Sequence, residues 1–203
     1  VRSVDKGALD DVLFALEGAE EQRVEACKRT ISRWAGRVSA LSLSDANAQA
    51  SALAQVLSEE VGFRGDTDNY YEAKNSHLSS VIQRRQGLPI LLSSVWILVG
   101  RAAGVEIEGV NLPGHFIVRV GGHDGVLVDP FHTGRSVTLG DCQTLVAESC
   151  DELSWSEDFL HGASTRTIGG GAVGGGAERD AALRARAGVP DRVQGPGGGR
   201  GRL

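Results

Sequence analysis

"GLPILLSSVWILVGRAAGVEIEGVNLPGHFIVRV", residues 87–120, carries two periodicities back to back. From residue 89 to residue 100 the run is apolar apart from Ser93, Ser94 and Gly100. It is too short to span a bilayer, it opens on Pro89 and it meets Gly104 where a C-terminal cap belongs, so it reads as a buried helix. After Gly104 the period switches to two, which predicts strands over residues 106–111 and 115–120. The turn "GGHDG", residues 121–125, leads to a third strand over 126–129. Helices first and a small antiparallel sheet after them indicate an α+β fold.

Upstream, Val24, Cys27, Ile31, Trp34 and Val38 recur at three- and four-residue steps, predicting an amphipathic helix over 20–38. Ser44 or Asp45 can cap a second helix carrying Leu53, Val56, Leu57 and Val61. Asn75 or Ser76 can cap a third, with Leu78, Val81 and Ile82, that stops at Gly87. Residues 139–147 predict one more short helix, and Trp34, Trp96 and Trp155 are expected in the core. Three regions follow: helical over 1–57, an α+β core over 58–168, and a tail over 169–203. That tail is Gly-, Ala- and Arg-rich and lacks aromatic residues, so it is expected to stay disordered.

Composition narrows the classes of function. With 203 residues, 41% hydrophobic content and 23% charge, the chain is an ordinary globular protein. A net charge of -5 argues against nucleic acid and anionic membranes as partners. Cys27, Cys142 and Cys150 lack CxxC spacing, and no apolar leader precedes the first helix, so reduced thiols in the cytoplasm are expected.

The chemistry gathers on the hairpin. With a five-residue turn, Val120 faces Val126 and Ile117 faces Asp129, which makes His115 and Asp129 diagonal neighbours. His115, Ile117 and Arg119 are then expected on one face with Leu127, Asp129 and Phe131. Asp129 can accept from one nitrogen of His115 and fix its tautomer, while Gly114 permits close approach of a ligand. His115, His123, Asp129, His132 and Cys142 are all metal-ligand types, but His123 lies at the far end of the hairpin. His132 alone could join the pair. No metal and no cofactor are assigned.

Asn75–Ser76, Arg84–Arg85, Gly87–Leu88–Pro89, Gly104–Val105, Pro113–Gly114–His115–Phe116, Arg119, Asp129–Pro130–Phe131 and Gly134 together resemble the transglutaminase-like superfamily, in its bacterial SirB-type branch. The resemblance covers residues 58–145 and continues more weakly through "WSEDFLHGASTRTI". It implies a papain-like core with a Cys–His–Asp triad, often followed by tetratricopeptide-like helices. His115 and Asp129 take the His and Asp positions, while the cysteine position, at the start of the Pro89 helix, holds Ile90 and Leu91. An aliphatic carbon cannot attack a carbonyl. Ser93 and Ser94 are the remaining nucleophile candidates, although buried helical serines usually bond back to their own backbone. The expectation is a non-catalytic binding or regulatory module whose protein or small-molecule partner is unknown, with Asn75, Arg85, Gly114, Arg119 and Phe131 as binding residues. The alternative is a hydrolase or acyl transferase using Ser93 or Ser94 with His115 and Asp129.

Overall fold

The structure, a computed structural model, describes residues 8–149 and 153–173. Helices α1 (Ala8–Glu17), α2 (Glu21–Ser39) and α3 (Ala46–Ala54) come first, and α3 runs on into a π-helical turn, Gln55–Glu60. Asp45 caps α3 by accepting from the Ala48 amide at 2.9 Å. Strand β1 (Arg64–Gly65), α4 (Leu78–Arg84), β2 (Gln86–Gly87) and α5 (Pro89–Ala102) follow, with β1 and β2 paired in parallel. The main sheet is β3 (Ile107–Leu112), β4 (His115–Val120), β5 (Val126–Asp129) and β6 (Arg135–Val137), antiparallel in that order. Helices α6 (Leu139–Ser149) and α7 (Thr165–Val173) complete the described chain. This is the α+β arrangement expected from the switch in period at Gly104.

Eleven of the fourteen residues of α5 are buried, so the helix needs cover on every side. Helices α2, α4 and α7 and strands β3 and β4 supply it. The sheet then divides the interior by alternation. Phe116, Val118, Val120 and Val128 join the main cluster with α5, whereas Val110, Leu112, Ile117, Leu127 and Val137 form a second cluster with Cys142 and Val146 of α6. Trp34 and Trp96 are buried in the main cluster, and Trp155 is half-buried against the second.

Three boundaries differ from the sequence reading. Helix α4 has no side-chain cap from Asn75 or Ser76; those residues lie in a 3-10 turn, Ala73–Ser76, ahead of it. A division at 57/58 falls inside the π-helical turn, and one hydrophobic cluster runs from Leu9 to Ala172 across it. Order also continues past Ile168, because α7 reaches Val173 and Ala172 is buried against the core. Three consecutive glycines do not forbid a helix whose remaining residues find apolar cover. The expectation of a disordered tail over 174–203 lies outside the described residues.

Ile168 anchors this last helix at 2% exposure. Ile168→Ala is expected to lower stability by about 2–4 kcal/mol, and Trp96→Ala by about 3–5 kcal/mol. Denaturant unfolding of the two variants checks this; wild-type midpoints would contradict the assigned packing.

Candidate functional site

The site begins at a turn. Pro113 and Gly114 join β3 to β4 with Leu112 paired to His115, and Gly114 takes a φ of 76°. Proline followed by a residue of positive φ is the type II pattern, so this glycine serves the backbone. His115 thereby starts β4. The β4–β5 register pairs Val120 with Val126 and Val118 with Val128, as expected, and leaves Asp129 diagonal to His115 at the end of β5. The Nε2–H of His115 donates to Asp129 Oδ2 at 2.9 Å.

A second imidazole reaches the same oxygen. His132 Nδ1–H donates to Asp129 Oδ2 at 2.7 Å, while Asp129 Oδ1 accepts from the amides of Phe131 at 3.0 Å and His132 at 3.3 Å. Asp129 is fully buried and His115 nearly so, but the His132 side chain is 39% exposed. The turn after β5 produces this arrangement: Gly134 N–H closes it onto the Asp129 carbonyl at 2.9 Å, with Thr133 in the left-handed region. Burial raises the Asp129 carboxyl pKa. The hydrogen bonds and charge of His115 and His132 outweigh burial and hold it well below the usual carboxylate range. An ionised carboxylate only accepts, so both imidazoles present an N–H to it and their outer nitrogens, His115 Nδ1 and His132 Nε2, remain as acceptors when neutral.

The same turn revises one expectation. Phe131 does not share the face of Ile117 and Leu127; it lies in the main cluster. Its ring lies 6.3 Å from that of Tyr70, and a Cβ on Gly65 would stand 2.5 Å from it. Strand alternation ends at Asp129, where the chain turns, so Phe131 is a buried wall. Its ring meets that of His115 edge-on at 6.2 Å.

The other expected binding residues are mostly tied to their own chain. Asn75 is fully buried, donating to the carbonyls of Asn69 and Tyr70 and accepting from Arg84. Arg84 also bonds Asp66 at 2.6 Å, whereas Arg85 is exposed as the left-handed cap of α4. Arg119 is buried between Glu108 and the Leu160 carbonyl, which straps β4 to β3 and to the 3-10 turn Glu157–Leu160. These are structural tethers. His123 is exposed beside Asp124, away from the site.

At the start of α5 the Leu91 side chain is fully buried, and Ile90 extends toward α7, where a Cβ on Gly171 would stand 2.5 Å from Ile90 Cδ1. Ser93 Oγ donates to the Phe116 carbonyl at 3.3 Å and Ser94 Oγ to the Ile90 carbonyl at 2.7 Å, so both hydroxyls are engaged. Cys27 and Cys142 are buried free thiols, and Cys150 lies outside the described residues. Burial first, then the charges of Asp141 and Asp129, push the Cys142 thiol up to about 11, which makes it a poor nucleophile.

One grouping of His, Cys, Asp and Glu suited to a metal occurs among the described residues: His115, Asp129 and His132, with ligand atoms within 4.8 Å of one another. In the sequence His132 is the one histidine able to join the pair, although it stands outside the expected His115–Asp129 site. The signal was the i, i+3 spacing in "DPFH" at a strand end.

Because folding depresses the Asp129 pKa, its ionised form contributes stability that is complete above about pH 4 and is lost as pH falls through the lower folded value. Asp129→Asn is expected to cost about 3 kcal/mol at neutral pH, since its amide nitrogen would face two of the donors that a carboxylate oxygen accepts from. The gap to wild type should narrow below about pH 4. Urea unfolding across pH measures both; a pH-independent gap would contradict the charge argument.

Residues 25–170 match the family described as the transglutaminase-like superfamily. A UPF0162 protein of Xylella fastidiosa strain Temecula1 is 44% identical over 124 residues, covering 58% of this chain and 44% of that protein. A UPF0162 protein of Pseudomonas aeruginosa is 37% identical over 103 residues, covering 51% of this chain and 37% of that one. F-box only protein 21 of Mus musculus is 33% identical over 106 residues, 48% of this chain but 17% of its own length. The chain therefore spans less than half the length of each of these relatives. No solved structure matches it. The matched span runs from α2 into α7 and contains His115, Asp129 and His132, and the chain belongs to the transglutaminase-like superfamily.

Proposed function

We propose that the protein is a transglutaminase-like domain that keeps the His and Asp positions of the superfamily's triad and has, among the described residues, no nucleophile for them to serve, acting as a binding or regulatory module. The observation that carries this is the start of α5. A helix N-terminus lowers a thiol pKa and supplies free amides to an oxyanion, and here it carries Ile90 and Leu91. Neither serine nearby offers a free hydroxyl, and the buried Cys142 thiol is held protonated. The SirB-type branch and a papain-like arrangement of the core belong to the same proposal, supported by the motifs from Asn75 to Gly134 and by the order helix, His strand, Asp strand.

One further observation supports a module. In the mouse F-box protein the similar region is 17% of the length, so domains of this kind occur as parts of larger chains. Among the described residues no helix is long and apolar enough to cross a membrane. A cytoplasmic setting agrees with the two described cysteines being free thiols. The net charge of -5 favours a protein or small molecule over nucleic acid or an anionic membrane as partner.

The test is pre-steady-state kinetics with activated ester and amide substrates, together with labelling by thiol- and serine-directed electrophiles. No burst of leaving group and no label at this site are expected. A burst that disappears in both His115→Ala and Ser93→Ala would overturn the reading in favour of a serine acyl transferase or hydrolase.

A further inference from the structure

We propose that His115, Asp129 and His132 form a binding site for one divalent transition-metal cation, of which zinc is the best fit. The inference rests on the reading above, in which His115 has no thiol or hydroxyl to activate among the described residues, and it names the ligand class of that same site.

Charge is the first argument. Asp129 is a fully buried carboxylate whose ion-pair partners are His115 and His132, with no lysine or arginine partner among the described residues. The two imidazoles supply charge only when protonated, and buried carboxylates are stable when paired with a cation or coordinated to one. A divalent ion between the three groups supplies that charge.

Donor chemistry is the second argument. Two imidazoles and one carboxylate are a borderline-soft set that suits zinc and its first-row neighbours, whereas magnesium and calcium prefer all-oxygen sites. Three protein ligands leave a further position open, and the exposure of His132 lets water or a ligand atom reach it.

Geometry is the third. The facing nitrogens lie 2.9 and 2.7 Å from Asp129 Oδ2, and all three ligand atoms are within 4.8 Å. In a tetrahedral site with bonds of about 2.0–2.1 Å, ligand atoms stand about 3.4 Å apart, so the set opens by some tenths of an ångström. His132, on the exposed turn beside Thr133, is the member able to shift. Each neutral imidazole moves its inward proton to its outer nitrogen, Nδ1 of His115 and Nε2 of His132, and turns a lone pair to the cation. Asp129 Oδ1 stays fixed by the amides of Phe131 and His132, the outer-shell anchoring that metal carboxylates use.

The experiment is calorimetric titration of Zn2+ into the chelator-stripped full chain, beside His132→Gln, which keeps a polar turn, and His123→Ala as a control. Visible absorption of bound Co2+ gives a second readout, and circular dichroism verifies that each variant folds. The expected result is one Zn2+ per chain in wild type and in His123→Ala, with affinity reduced at least about 100-fold in His132→Gln. Absence of Zn2+ binding to wild type, or equal affinity in wild type and His132→Gln, would overturn the site. Either negative result leaves the module reading standing if no acyl-enzyme burst occurs; a burst removes that reading whatever the titration gives.

Discussion

A helix with no solvent face organises this molecule. Along α5 every side from Leu91 to Val99 is buried, so the chain supplies cover around the whole circumference. Helices α2, α4 and α7 pack against it along with β3 and β4, and each needs an apolar stripe of its own. That requirement explains why residues as distant in sequence as Leu9 and Ala172 share one cluster. It also explains why the glycines of α7 are useful, since Gly171 lets that helix approach Ile90 closely.

The same constraint fixes the chemistry. With α5 filling one face of the sheet and α6 covering the other, the polar groups of the site gather at strand ends, where the ladder stops and turns begin. His115 stands at the start of β4, Asp129 at the end of β5, and His132 on the turn that follows. One carboxylate there accepts from two imidazoles and two amides. These four donors on one buried anion hold the turn as well as the site.

Much of this was legible in the sequence because it rested on local rules. The Pro89 helix, the Asp45 cap, the hairpin register and the His115–Asp129 diagonal all follow from period, capping preference and alternation. What was illegible depended on where the chain goes after an element ends. Phe131 left the expected face because β5 stops at Asp129. Asn75 and Arg119 look like binding residues in one dimension, yet their partners, Arg84 and the Leu160 carbonyl, are nine and forty-one residues away. The helical character of 169–173 came from tertiary cover of Ile168 and Ala172, which composition alone does not reveal. Two-residue strands such as β1 and β2 carry no period at all.

One buried carboxylate organises both imidazoles, and their tautomers report on it directly. Long-range nitrogen–proton NMR correlation of the metal-free protein, at a pH where both rings are neutral, reads each tautomer. The expected result is a proton on Nε2 of His115 and on Nδ1 of His132, with both signals reassigned or lost in Asp129→Asn. The opposite tautomer at His115, with Nδ1 protonated and Nε2 free, would contradict the shared-carboxylate site at its foundation.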